Sequence, residues 1–243
     1  MYNWNWSVLW SPSADGASSY LGTLGFGLAW TLVVGLSAWC IALALGTVVG
    51  IARTIPAGKI ARLADGYVEV LRSIPLIVQM FLWFYVAPDF LPDAAASAVK
   101  AWDRYNVLAA ILCLALFTSA RIAEQVRAGI QSIPTGQSNA AKAMGMETAQ
   151  VYRHVLLPVA FRRVIPALTN EFVNIIKNTS VAFTIAVVEL MAATRSMQEM
   201  TFQPFEAFTA ATAIYLAVNL TAVKVMSMIE KSTRIPGYGH SGR

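Results

Sequence analysis

Charge is scarce in this chain. Asp, Glu, Lys and Arg together make up 13% of its 243 residues, about half the ~25% of an ordinary soluble domain. Hydrophobic residues make up 57% and the mean hydropathy is +0.57. That balance excludes a disordered chain and leaves too little polar surface for a water-soluble one. Between Asp15 and Arg53 there is no Asp, Glu, Lys, Arg or His, and no Lys or Arg precedes Arg53. The N-terminus therefore lacks the basic start of a secretory leader, and no cleaved leader is expected. Cysteine is nearly absent: Cys40 and Cys113 both lie in apolar runs and read as small buried hydrophobes, not as a disulfide or metal pair. His154 and His240 are too far apart, and too poor in acidic or thiol neighbours, to form a metal motif. No Gly-x-x-x-x-Gly-Lys-Ser/Thr phosphate loop occurs, since Gly58-Lys59 runs into Ile60 and has no upstream glycine. No nucleophile, base or metal constellation of an enzyme is recognisable either. A net charge of +5 suggests no nucleic acid here, because the cations fall between apolar segments, where membrane topology accounts for them.

What the chain does have is apolar runs of membrane-crossing length, about 20 residues each. Spans are expected at 24–51, 65–87, 106–121, 164–190 and 208–223. Arg53, Lys59 and Arg62 form a compact basic loop after the first span, which the positive-inside bias places in the cytoplasm. Trp83 and Tyr85 sit at the other end of the second span, as interfacial aromatics do. Asp89, Pro92 and Asp93 mark an external loop. Arg127, Lys142, Arg153, Arg162 and Arg163 make the stretch after the third span basic again, and Lys231, Arg234 and Arg243 do the same for the tail. The expected fold is an all-α polytopic membrane protein with five transmembrane helices, its N-terminus outside and its C-terminus cytoplasmic. Residues 1–20 form an external segment, 21–230 the transmembrane domain with a cytoplasmic loop at about 128–162, and 231–243 a cytoplasmic tail.

Charges near or inside the spans are costly, at least ~2.5–3.5 kcal/mol at mid-bilayer, and usually face protein or water. Glu69 and Arg72, spaced i, i+3, share a helix face; they read as an intrahelical pair near the cytoplasmic interface or as a gating or substrate pair. Arg121 and Glu124 have the same spacing and the same two readings. Lys177, followed by Asn178, Thr179 and Ser180, falls deep in the fourth span. Irregular backbone at that depth needs protein or a cavity beside it. The four residues suit reception of a carboxylate, or else form a structural break satisfied by neighbouring helices. The stretch is read as one crossing with a polar break, with a re-entrant pair as the alternative.

The cytoplasmic loop contains Asn139-Ala140-Ala141-Lys142-Ala143-Met144-Gly145. This reads as a short helix capped by Ser138 or Asn139, slim enough for close approach by a partner, with Gly145 turning the chain out of it. Leu157-Pro158 follows, and Pro158 marks a boundary before the next span. Physically, an ordinary helical hairpin explains these residues as well as a docking helix does.

The pattern Ala-Ala-x-x-x-Gly, nine residues, an aliphatic residue, x, Leu-Pro resembles the coupling-loop signature of ABC-importer membrane subunits, although Asn139 stands where that family usually has Glu. The likeness extends further. Tyr67 to Gln79, including Glu69, Arg72 and Pro75, resembles the second-span signature of polar amino-acid permeases. Ser119 to Gln137, Leu157 to Glu171 and Lys177-Asn178-Thr179-Ser180 resemble the stretches around the loop. With Asn5-Trp6 and Ser11-Pro12, the whole is most similar to glutamate/aspartate-type permeases. That resemblance implies the ABC type I importer transmembrane fold in a bacterial inner membrane. It implies a coupling loop made by Asn139, Ala140, Ala141, Gly145, Leu157 and Pro158, and no catalytic or metal residue. Expected partners are ABC ATPase subunits, which carry the ATP and magnesium, a second similar or identical permease and a periplasmic solute-binding protein. Lys177, Asn178, Thr179, Ser180 and Arg72 are the substrate-path candidates. The rival class is a self-sufficient secondary transporter or channel using the intramembrane charges, but such proteins often carry inverted repeats, and none is found.

Overall fold

The computed structural model describes residues 2, 4–13, 16, 18–55 and 58–233. It is all-helical, and apart from one isolated bridge between Pro12 and Ser19, no strand pairing occurs among the described residues. The helices are α1 (Tyr20–Ala52), α2 (Lys59–Ser73), α3 (Leu76–Phe81), α4 (Asp93–Lys100), α5 (Tyr105–Gln131), α6 (Thr135–Ala143), α7 (Thr148–Val151), α8 (Leu157–Asn178), α9 (Leu190–Thr201) and α10 (Pro204–Thr233). Three of them, α1, α5 and α10, are long and apolar enough to cross a membrane; the number rises to five if each of two bent helix pairs counts as one span. At about 1.5 Å per residue, the 33 residues of α1 reach well beyond a hydrocarbon core of ~30 Å.

Two expected spans take a different form. The second is not continuous over 65–87: α2 begins at Lys59 and stops at Ser73, and Pro75 caps the separate α3. Proline has no N–H to give and pushes the residue before it out of the helical region. The fourth expected span is also interrupted. The last helical residue of α8 is Asn178, a tight 3-10 turn covers Thr179–Ile185, and Ala186 adopts φ 59° before α9 begins. This is the polar break the sequence suggested. No boundary forms at Pro158, however. Helical structure runs from Thr148 into α8 through a widened turn at Tyr152–Leu156. Pro158 would collide with the carbonyl of the residue four before it in a regular helix, and a wider turn relieves that contact.

By contact the chain divides into two compact units. The first comprises Met1–Ile41, Ile74–Leu116 and Asn174–Thr221. Its core gathers Val8, Leu9, Tyr20, Leu24, Leu190, Ala193, Met197 and Ala207. Buried Glu189 caps α9 by accepting from the Ala192 N–H at 2.8 Å and from the Tyr215 hydroxyl at 3.1 Å. Buried Glu206 accepts from the Asn5 N–H at 2.6 Å and from the Tyr2 hydroxyl. Cys113 is buried as expected, whereas Cys40 is exposed, so the reading of both as core residues holds for one.

The second unit comprises Ala42–Ser73, Phe117–Val173 and Ala222–Arg243. Val68, Ala120 and Ala123 form its small apolar centre with Val49, Tyr67 and Leu71. Here α1 and α5 pack almost backbone to backbone. A Cβ placed on Gly46 would lie 2.6 Å from the Ser119 carbonyl oxygen, and one on Gly50 2.8 Å from that of Ala123. Gly46-Thr-Val-Val-Gly50 is thus a Gly-x-x-x-Gly contact of the kind that lets membrane helices approach closely.

Candidate functional site

The loop after α5 contains a short helix, but it starts earlier than expected. Pro134 occupies the cap position of α6, and no side chain caps it. Ser138 and Asn139 lie inside the helix instead, with Ser138 Oγ donating to the Thr135 carbonyl at 2.9 Å. The other end follows the sequence reading. Gly145 has φ 85°; its N–H donates to the Lys142 carbonyl at 2.9 Å, and the Met146 N–H to Ala141 at 3.1 Å. These are the paired bonds of a Schellman stop, which needs the left-handed conformation glycine adopts freely. Ala141 is buried, while Asn139, Ala140 and Ala143 are exposed and Met144 is 73% exposed. The chain then re-enters a helix at once, because Glu147 and Gln150 form a reciprocal capping box ahead of α7. Helix α6 packs against α7 and the widened turn. Leu157 is half-buried and Pro158 exposed. The result is a stiff helical hairpin with a slim outward face.

Among the described residues neither i, i+3 pair forms as the spacing suggested; Arg72, Arg121 and Glu124 each have a partner on another element. Arg53, its side chain only 6% exposed, donates through Nε to Asp65 Oδ1 at 2.7 Å and through Nη1 to Glu124 Oε2 at 2.6 Å. Arg72 turns to Glu124 Oε2 at 3.4 Å, and Arg127 lies 3.9 Å from Glu124 Oε1. Glu69 lines the same open cleft, about 690 Å³ in volume. Arg121 instead grips Glu171 with two bonds, Nε–Oε2 at 2.7 Å and Nη2–Oε1 at 3.2 Å. Such a planar two-bond fork is the geometry guanidinium groups favour. Since Glu171 is buried, this pair is a brace between α5 and α8.

The four residues at the end of α8 part ways. Lys177 and Ser180 line a groove of about 420 Å³ with Phe208, Tyr215 and Asn219. Thr179 is buried on another side, its methyl group facing Gly35 of α1. The Thr179 and Ser180 hydroxyls donate to the carbonyls of Ile176 at 2.7 Å and Lys177 at 2.8 Å. They close the helix end rather than point donors at a ligand. Asn178 is half-buried. Of the set, Lys177 is the exposed cation. Asn219 brings something the sequence reading missed: its buried Oδ1 has no hydrogen-bond partner among the described residues.

Comparison with known proteins decides what this hairpin and these helices belong to. Residues 42–235 match the family model for binding-protein-dependent transport system inner membrane components. The chain belongs to that family. It is 41% identical to the glutamate/aspartate import permease protein GltJ of Escherichia coli K12, over 97% of each chain. It is 31% identical to the glutamate/aspartate import permease protein GltK of Escherichia coli O6:H1, over 96% of this chain and all of that one. A solved amino acid ABC transporter matches with a TM-score of 0.75 at 30% identity, covering 88% of this chain and 95% of its own. The fold is therefore that of an ABC importer permease, a subunit of the inner membrane. A family named for dependence on a binding protein does not consist of self-sufficient secondary transporters.

Among the described residues no group of His, Cys, Asp and Glu is arranged to hold a metal ion; His240 and the tail cations Arg234 and Arg243 lie outside those residues. The sequence reading also missed two features. The Gly46–Gly50 contact was written in its own spacing. Tyr152 was not, because its partner, the Thr54 carbonyl at 2.8 Å, is 98 positions away.

Proposed function

We propose that the chain is the membrane-spanning permease subunit of an ATP-driven importer that carries glutamate and aspartate into the cell. The observation that carries this reading is the 41% identity to the GltJ protein across 97% of both chains. In this reading the chain crosses the membrane five times, each bent helix pair forming one span, and the basic loops favour an N-terminus outside and a C-terminus in the cytoplasm. In this arrangement 1–20 is an external segment, 21–230 the permease domain and 231–243 a cytoplasmic tail. The loop at 128–162 is the docking element: Asn139, Ala140 and Ala141 on α6, the stop at Gly145 and Leu157-Pro158 at the start of α8 receive a separate ATPase subunit. That subunit holds the ATP and magnesium, and this chain holds no cofactor. A solute-binding protein delivers substrate from the outer side. The second permease is similar to this one rather than identical, a reading supported by two distinct chains, GltJ and GltK, under one transport name.

The substrate path runs by Lys177, whose ammonium in the groove suits an acidic side chain. Asn178, Thr179 and Ser180 shape the helix end that presents it, and Arg72 lies at the cytoplasmic exit. Reconstitution of the complex with its binding protein tests this directly. Labelled glutamate uptake should be ATP-dependent and suppressed by excess aspartate, but not by excess arginine or leucine. Equal competition by arginine or leucine refutes the acidic preference, and uptake driven by an ion gradient without ATP refutes the importer.

A further inference from the structure

The second unit contains a continuous mechanical connection starting beside the docking element. Tyr152 opens the widened turn that follows α7, against which α6 packs. Its hydroxyl donates to the Thr54 carbonyl at 2.8 Å, with Thr54 Oγ1 at 3.1 Å. Thr54 is fixed in turn, its own Oγ1 donating to the Ile51 carbonyl at 2.7 Å and its N–H to the same carbonyl at 2.9 Å. The preceding residue is Arg53, whose nearly buried guanidinium binds Asp65 of α2 at 2.7 Å and Glu124 of α5 at 2.6 Å. One turn of backbone at the end of α1 thus holds three elements by directional bonds: the docking hairpin through Tyr152, α2 through Asp65 and α5 through Glu124.

Bonds of this type fix the relative position of the groups they join. A charge-assisted fork weakens steeply once its geometry is lost, so the groups it joins resist being moved apart. Arg53 is also poorly placed to let go, because leaving both carboxylates would strand a nearly buried charge. Glu124 gathers Arg72 and Arg127 as well, at 3.4 and 3.9 Å, so a pull on Arg53 reaches the whole charged cleft.

We propose that Tyr152 and Arg53 are positioning residues that carry movement of the docked hairpin into α2 and α5. This rests on the coupling-loop reading above. Tyr152→Phe removes one hydroxyl and keeps the ring, so it severs the connection with little loss of packing. In proteoliposomes holding the complete importer and its binding protein, ATP hydrolysis by this variant should stay within about twofold of the parent. Substrate carried per ATP should fall about two- to tenfold, the worth of one net hydrogen bond. Arg53→Lys, which keeps the charge but loses the two-carboxylate fork, should lower the same ratio. An unchanged ratio in both variants overturns the proposal, as does a parallel fall of hydrolysis and transport that leaves the ratio intact. Gly145→Val, measured alongside, separates the two levels. If it transports normally, the coupling-loop reading itself fails. If it loses transport while Tyr152→Phe and Arg53→Lys keep the parental ratio, only the relay fails.

Discussion

Gly145 offers the sharpest test of the docking element, because its cost is set by backbone conformation alone. At φ 85° a Cβ would meet no atom within 4 Å, so no side-chain clash confuses the outcome. A non-glycine residue in the left-handed region costs about 1–2 kcal/mol, less for Asn and more for a β-branched residue. Escape to negative φ costs a similar amount, because it breaks the bonds from Gly145 to Lys142 and from Met146 to Ala141, each worth about 0.5–1.5 kcal/mol net. Since 1.4 kcal/mol is tenfold in an equilibrium, Val should shift the balance between the observed hairpin and its alternatives about tenfold or more away from the observed one. Uptake of labelled glutamate, normalised to the amount of permease in the membrane, should fall in the order Gly, Asn, Ala, Val, with Val down about tenfold or more. Membrane levels should stay close to the parent throughout, because the stop sits on an exposed loop. A Val variant that transports like the parent refutes the argument. So does an Asn variant as impaired as Val, since that would make side-chain volume, not φ, the controlling quantity.

Packing and substrate passage give two further tests. Gly50→Ala places a methyl 2.8 Å from both the Ala123 carbonyl oxygen and Val126 Cβ, so α1 and α5 must separate, at about 1–3 kcal/mol. Thermal unfolding of the purified protein should show a lower midpoint, while Gly66→Ala on α2, where the Cβ meets nothing, should match or exceed the parent by up to about 1 kcal/mol; equal midpoints for the two variants would count against the close contact. Lys177→Ala should cut maximal acidic amino-acid uptake at saturating binding protein by about tenfold or more, as expected for a lost charge-assisted bond, while Lys177→Arg should retain most of it. Full uptake by Lys177→Ala would remove Lys177 from the path.

The parts of the fold that were legible in the sequence are those set by local rules. The apolar runs marked α1, α5 and α10 because the bilayer fixes the length of uncharged helix needed to cross it. The Gly145 stop was legible because a left-handed residue at a helix end is a nearest-neighbour matter. Boundaries governed by proline were harder to read, because proline has more than one outcome. Pro75 separates α2 from α3, while Pro158 only widens a turn within a continuing helix. One restricts the residue before it and the other removes a bond four residues back, and sequence spacing does not say which effect the packing will accommodate.

Charge pairing was the least legible layer, for a related reason. Sequence spacing finds partners three or four residues apart, and such pairs are worth only ~0.2–0.5 kcal/mol on an exposed helix. Any carboxylate brought near by tertiary packing in a partly dry place outcompetes them. Arg121 leaves Glu124 for Glu171, 50 residues on, and Glu124 goes to Arg53, 71 residues back. The same exchange changes what the loop can do. Were Arg121 and Glu124 paired on one helix, they would stiffen only α5. Paired outward, Arg121 ties α5 to α8 and Glu124 ties it to the end of α1, so the helix after the α6–α7 hairpin and the helix before it share a common brace. A hairpin embedded this way has little freedom to shift alone. Movement imposed on it must either be resisted by the brace or be passed through it to α2, and the placement of Tyr152 against Thr54 favours the second.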